Sequence, residues 1–178
     1  MSNKIEMVSD EQALVGEGPV WDTSSQTLFW TDIQGGRFFN FNPSTKTNKI
    51  IHNGVNTGGL AVNESGGLIL GTWEGVQLWN SDDDYRWLHK DSFEGREIKT
   101  NDVTSSPDGG FIVGTGHLDS CSVFKFNPNG TVDIIDEGLE LCNGMGFSPD
   151  CRTFYSTDSP KHEIYKWDHD PVSGQFSN

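Results

Sequence analysis

Apolar residues come in short bursts along this chain, alternate with polar ones, and never sustain a helical period. Residues 28–33 and 37–41 show the pattern best, with aromatic and branched side chains crowding the positions a strand would bury. Asp22-Thr23-Ser24-Ser25, Gly35-Gly36 and Asn42-Pro43-Ser44 punctuate them with turn chemistry. The pattern predicts a strand on either side as well, at 19–21 and 49–52, which makes a group of four. Three further groups follow: 60–62, 68–71, 77–79 and 87–89; then 103–105, 111–114, 123–126 and 132–135; then 145–147, 153–156 and 164–167. Pro107-Asp108-Gly109, Pro128-Asn129-Gly130 and Asp170-Pro171-Val172-Ser173-Gly174 supply the later turns. The expected class is all-β.

The groups repeat at a fixed interval. Glu17 precedes Thr31 by 14 residues, and the same interval separates Gly58 from Thr72, Asn101 from Thr115 and Asn143 from Thr157. Successive anchors lie 41, 43 and 42 residues apart. A period near that length, made only of short strands and turns, marks the four-stranded antiparallel blade of a β-propeller. Each blade runs outward from a central axis, so Glu17, Gly58, Asn101 and Asn143 are expected to form a ring around it. Residues 5–8 precede the first anchor as an outer strand would, and are expected to pair with the last blade and hide its edge. Residues 1–178 thus read as one propeller domain with repeats starting near 17, 58, 101 and 143. By spacing alone, four repeats suit either a closed four-bladed ring or a six-bladed propeller short of two blades, about 84 residues.

Composition supports this class. Twenty-one Gly, seven Pro and six Trp among 178 residues suit a turn-rich β protein large enough to bury a core. The formal charge of −14, with only 12 Lys and Arg, argues against a nucleic-acid partner. No apolar stretch is long enough to span a bilayer, so no membrane role is expected. The first residues contain no apolar run or small-residue cleavage site, and Cys121, Cys142 and Cys151 match neither a metal nor a disulfide framework. Both features point to a reduced, cytoplasmic setting. Asn63-Glu64-Ser65 and Asn129-Gly130-Thr131 then read as turns rather than as glycosylation sites.

Most catalytic signatures are missing: there is no G-x-S-x-G, H-E-x-x-H, phosphate-binding glycine loop or C-x-x-C. His52, His89, His117, His162 and His169 lack ligand spacing, and Asp82-Asp83-Asp84 lacks the frame of a calcium loop and reads as a solvated turn. The tryptophans read as inter-blade packing. The ring positions remain. A carboxylate at Glu17, between two glycines, near the amide oxygens of Asn101 and Asn143, makes an all-oxygen cluster suited to a hard divalent cation. The competing reading has each Asn bonding its own turn and Glu17 merely solvated in the funnel mouth.

"GEGPVWD", "LFWTDI", "TNDVTSSPDGGFIVGT", "NGMGFSPD" and "YSTDS" resemble, in order and spacing over residues 14–177, the senescence-marker-protein/gluconolactonase/luciferin-regenerating-enzyme family, the regucalcin-like proteins. The resemblance implies a six-bladed propeller, incomplete at its C-terminal end here, with one divalent cation in the central funnel. It implies hydrolysis of sugar lactones, or in some members of organophosphate esters, with a small-molecule substrate. It makes Glu17 and Asn143 metal ligands, and Asn101 a contact to substrate or to the metal's water. Lys99 stands where the family often has Arg, and offers a point charge in place of a planar fork. The family's third ligand, an Asp that is also its favoured general base, belongs to a fifth blade beyond Asn178, which leaves the catalytic base unassigned and implies a fragment or a product of low activity. By strand alternation Asp102 points away from Asn101 and holds at most an indirect role, while His117 and Asp119 belong to a loop at the funnel rim. Oxygen-only ligands favour Ca²⁺, with Mg²⁺, Mn²⁺ and Zn²⁺ open. The rival expectations are a phosphotriesterase on the same site, a non-catalytic cation-binding propeller fragment, and a four-bladed scaffold with no metal. An unclosed blade edge would also invite pairing with a second copy.

Overall fold

A computed structural model describes residues 5–177, which form strands and turns and contain no helix. Blade one is β1 (Gly16–Asp22), β2 (Thr27–Asp32), β3 (Arg37–Asn42) and β4 (Thr47–Asn53); blade two is β5 (Thr57–Val62), β6 (Leu68–Thr72), β7 (Gly75–Ser81) and β8 (Asp84–Lys90). A small hairpin, β9 (Ser92–Phe93) and β10 (Arg96–Glu97), leads into blade three. That blade is β11 (Thr100–Ser105), β12 (Phe111–Thr115), β13 (Cys121–Phe126) and β14 (Val132–Leu139). Blade four is β15 (Cys142–Phe147), β16 (Thr153–Asp158), β17 (Glu163–His169) and β18 (Phe176–Ser177). Each blade is an antiparallel sheet with its strands in chain order. No helix among the described residues is long and apolar enough to cross a membrane.

The turns are held by the side chains the sequence puts there. Asp22 accepts the N–H of Ser24 at 2.8 Å, Asn42 that of Ser44 at 2.9 Å, and Asn129 that of Thr131 at 2.9 Å. A short polar side chain that closes its own turn gives a hairpin its stop at no cost in packing. Asn129 therefore does serve a turn, as the sequence suggests. In the aspartate run Asp82 and Asp83 make the exposed turn between β7 and β8, as expected, while Asp84 begins β8 and Asp82 also meets Nδ1 of His52 from blade one.

The core lies between blades. Phe38 of blade one packs with Leu60, Leu68, Leu70 and Trp79 of blade two. Ile69, on the opposite face of β6, joins Val76, Val103, Val113, Phe124 and Phe126 against blade three. Ile112, Cys121 and Val123 face the other way, onto Cys142, Phe154 and Trp167 of blade four. Successive residues of one strand thus serve two cores, which is the two-residue period used on both faces. All six residues of β13 are buried for this reason. Lys125 on that strand extends to the blade edge, where Nζ donates to Asp108 Oδ2 and to the Gly174 carbonyl, both at 2.6 Å. The three cysteines are free thiols, and burial pushes that of Cys142 far up.

One expectation needs correction, and one of two open alternatives drops out. Residues 5–8 form no strand; residues 5–13 lack regular structure, and Ile5 is 96% exposed. The outer place in blade four is already held by β18, and among the described residues the segment joins no ladder. The closed four-bladed ring is also not formed. Inner strands pack in the order β1, β5, β11, β15, and among the described residues no comparable packing joins β15 back to β1. The blades make an arc.

Candidate functional site

All four ring positions lie at β-bulges, but the bulges are of two kinds. In blades one and four the ring residue itself is laddered, Glu17 to Thr31 and Asn143 to Thr157, and the extra residue follows it. In blades two and three the residue before it is laddered, Thr57 to Thr72 and Thr100 to Thr115, and Gly58 and Asn101 are themselves the extra residues. A bulge of either kind re-aims the side chains around it. Gly18 and Gly144, which follow Glu17 and Asn143, have φ of 54° and 56°, a left-handed backbone that glycine enters freely. Gly58 is a glycine for another reason. A Cβ there would lie 2.3 Å from the Thr100 carbonyl oxygen, so bare backbone is what lets β5 approach β11.

Two fully buried carboxylates brace the approach to the ring. Asp32 Oδ1 accepts the N–H groups of Leu14 and Val15 at 3.0 Å each, and Arg37 donates to Oδ2 at 2.7 Å. Asp158 accepts those of Glu140 and Leu141 at 3.1 Å each and pairs with Lys161 at 2.9 Å. Burial opposes ionisation of Asp32, but Val15, Arg37, Gly35 and Leu14 together outweigh it and hold the carboxyl below the usual range. Asp158 is held low in the same way, burial being overcome by Lys161 and the two N–H groups.

At the hub, Asn101 Nδ2 donates to the Cys142 carbonyl at 3.0 Å, which ties blade three to blade four and leaves Oδ1 without a donor among the described residues. Asn143 Oδ1 accepts the Gly144 N–H at 3.0 Å, and Nδ2 reaches Ser159 Oγ at 3.4 Å. The self-bonded turn weighed from the sequence is therefore real for Asn143. Glu17 is exposed. Asp102 does not follow simple alternation, because Asn101 beside it is the bulged residue. Its carboxylate accepts the Val103 N–H at 2.8 Å and faces the N–H groups of Met145 and Gly144. Burial raises its pKa, and the negative charge of Glu17 adds to the rise. Asp102 thus faces the turn after Asn143 and lies within reach of the Glu17 charge.

Lys99 Nζ lies 4.6 Å from the centre of the Trp73 ring, and the His117 ring lies 6.1 Å from it on the far side of the blade gap. Lys99 precedes β11, while Trp73 and His117 come after β6 and β12, the strands that ladder with the inner strands of blades two and three, so the three form one cluster. Trp73 thus packs between blades two and three, the inter-blade role expected for the tryptophans, with a lysine and an imidazole as its partners. Asp119 is exposed in the same loop as His117, with no hydrogen bond or ion pair among the described residues. An open cleft of about 900 Å³ lies instead between the outer strands of blades three and four, bounded by Asp108, Asn127, Trp167 and Phe176, and no hub residue lines it.

The donors at the hub are all oxygens, a chemistry that fits a hard divalent cation. Among the described residues no group of three His, Cys, Asp or Glu could hold a metal by itself. The oxygens available there are the exposed Glu17 carboxylate and the amide oxygens of Asn101 and Asn143. Sequence reasoning missed Asp32 and Asp158; the signal was the Thr-Asp pair that ends the second strand in repeats one and four, where repeats two and three have Trp73 and Gly116.

A family model described as the SMP-30/Gluconolactonase/LRE-like region matches residues 15–178. The chain belongs to that family. Among its relatives, pentonolactonase XacC of Haloferax volcanii is 28% identical over 172 residues, which are 96% of this chain and 58% of the relative. Regucalcin of Xenopus laevis is 28% identical over 187 residues, 99% of this chain and 62% of the relative. The chain spans about three fifths of the length of these curated relatives. The crystal structure of a calcium-binding protein, regucalcin, from Agrobacterium tumefaciens superposes with a TM-score of 0.85 at 19% identity, covering 96% of this chain and 59% of that one. That likeness shows the propeller fold.

Proposed function

We propose that this chain carries part of the funnel of a divalent-cation-dependent hydrolase of sugar lactones. The observation that carries the reading is the buried Asp102 carboxylate, which faces the turn after Asn143 and feels the charge of Glu17. Membership of a family whose relatives include a pentonolactonase supports the substrate class. Residues 1–178 are read as one domain, four consecutive blades of a longer propeller, which the shares of the relatives support.

Glu17 and Asn143 would hold the cation, which when bound supplies Lewis acidity toward the lactone carbonyl. Ca²⁺ is favoured over Mg²⁺, Mn²⁺ and Zn²⁺ by the oxygen-only donors. Asn101 has its amide N–H committed to Cys142, so its carbonyl oxygen is left to accept a sugar hydroxyl. Lys99, steadied over Trp73, presents a positive charge to the substrate's oxygens. His117 and Asp119 bound the rim, where ring substituents would pass. Asp102 braces the Gly144 turn that aims Asn143.

The test is to assay the protein on a gluconolactone-type substrate and on a phosphotriester, each with and without a chelator. Lactone hydrolysis abolished by the chelator is expected. Turnover of the phosphotriester alone would move the chemistry to that class. Cation binding with turnover of neither would favour a non-catalytic cation-binding propeller fragment.

A further inference from the structure

We infer that Asp32 and Asp158 are positioning residues that set the aim of the proposed cation ligands Glu17 and Asn143 through the backbone upstream of each. The inference rests on the ligand reading above. Each carboxylate is fully buried and grips two consecutive N–H groups, the second of them, on Val15 or Leu141, two residues before the ligand. Each is held in turn by a cation from the following turn or strand, Arg37 or Lys161.

The other two blades supply an internal control. All four share one backbone hydrogen bond that closes the inner strand's entry: Ile33 to Val15 at 2.9 Å, Trp73 to Asn56 at 3.0 Å, Gly116 to Lys99 at 2.9 Å and Ser159 to Leu141 at 3.2 Å. That bond is what a blade needs. The carboxylate is added only in blades one and four. The ladder also runs one residue further there, because Gly16 pairs with Asp32 and Cys142 with Asp158. Those are the blades in which the ring residue is laddered and followed by a left-handed glycine. In blades two and three Trp73 and Gly116 replace the acid, and the ring residues Gly58 and Asn101 are bulged. The carboxylate therefore tracks the ligand and not the blade. Its physical effect is to add two hydrogen bonds from consecutive N–H groups to the entry segment, so that the side chain two residues on has one direction instead of several.

The experiment compares Asp158→Asn with Asp108→Asn, which breaks a buried ion pair with Lys125 away from the hub. Two readouts are taken on the whole chain: amide exchange at Asn143 and Gly144 in metal-free protein, and Ca²⁺ affinity by calorimetry. Loss of charge-assisted bonds in Asp158→Asn is expected to speed exchange at both amides and weaken Ca²⁺ binding by about tenfold each, with Asp108→Asn unchanged in both. Exchange and affinity within about twofold of wild type in a less stable Asp158→Asn would overturn the inference and leave Asp158 as fold support. If wild type binds no Ca²⁺, the ligand reading fails, and exchange alone still decides whether Asp158 orders the turn. Should Asp158→Asn not fold, Lys161→Met loosens the same carboxylate from a partly exposed position. Exchange about threefold faster at Asn143 is then expected, and no change would overturn the inference.

Discussion

The carboxylate of Asp158 accepts the backbone N–H of Leu141 at 3.1 Å, two residues ahead of Asn143. Asp32 does the same for Val15, two residues ahead of Glu17. Both carboxyls titrate below their ordinary range in the folded chain. A depressed folded pKa stabilises the fold fully above the unfolded value and is lost as pH falls through the folded one. Stability should therefore begin to drop below about pH 4 and keep falling into stronger acid. Urea midpoints measured across that range check it. In Asp32→Asn the acid slope should flatten, and stability at neutral pH should fall by about 1.5–3 kcal/mol, the range for bonds to an ionised group.

Gly58 faces the Thr100 carbonyl oxygen with 2.3 Å available to any Cβ, while Gly146, at the end of the bulge in β15, has nothing within 4 Å. Gly58→Ala should cost about 3 kcal/mol through forced separation of β5 and β11. Gly146→Ala should stay within about 0.5 kcal/mol of wild type. Denaturant unfolding of the two variants side by side measures the difference.

Lys99 sits over Trp73 and has no carboxylate partner among the described residues. Trp73→Ala should free the ammonium and raise KM for a lactone by about tenfold, with a smaller change in kcat. Steady-state kinetics on one lactone gives both numbers. An unchanged KM would remove Lys99 and Trp73 from the substrate's path.

The blade plan was legible because it is written in alternation and period. The predicted second strand at 28–33 and the observed Thr27–Asp32 differ by one residue at each end. Register was not legible. The constant interval of 14 hides that Thr31 faces Glu17 whereas Thr72 faces Thr57, since a bulge changes pairing without changing spacing. For the same reason alternation misdirected the expected direction of Asp102, which like Asn101 faces blade four. The β9–β10 hairpin escaped because two-residue strands around Glu94-Gly95 leave no period to see. Asp32 and Asp158 escaped because a lone Asp reads as surface, and only tertiary structure reveals the N–H groups that let it be buried.

A cation held at the hub is the centre of the account. Metal-free protein and its Glu17→Gln variant should be titrated with Ca²⁺ by calorimetry. One cation per chain is predicted for the wild type, with affinity at least about tenfold weaker once the carboxylate at position 17 becomes an amide. Equal affinity in the two proteins, or no binding by either, would contradict it.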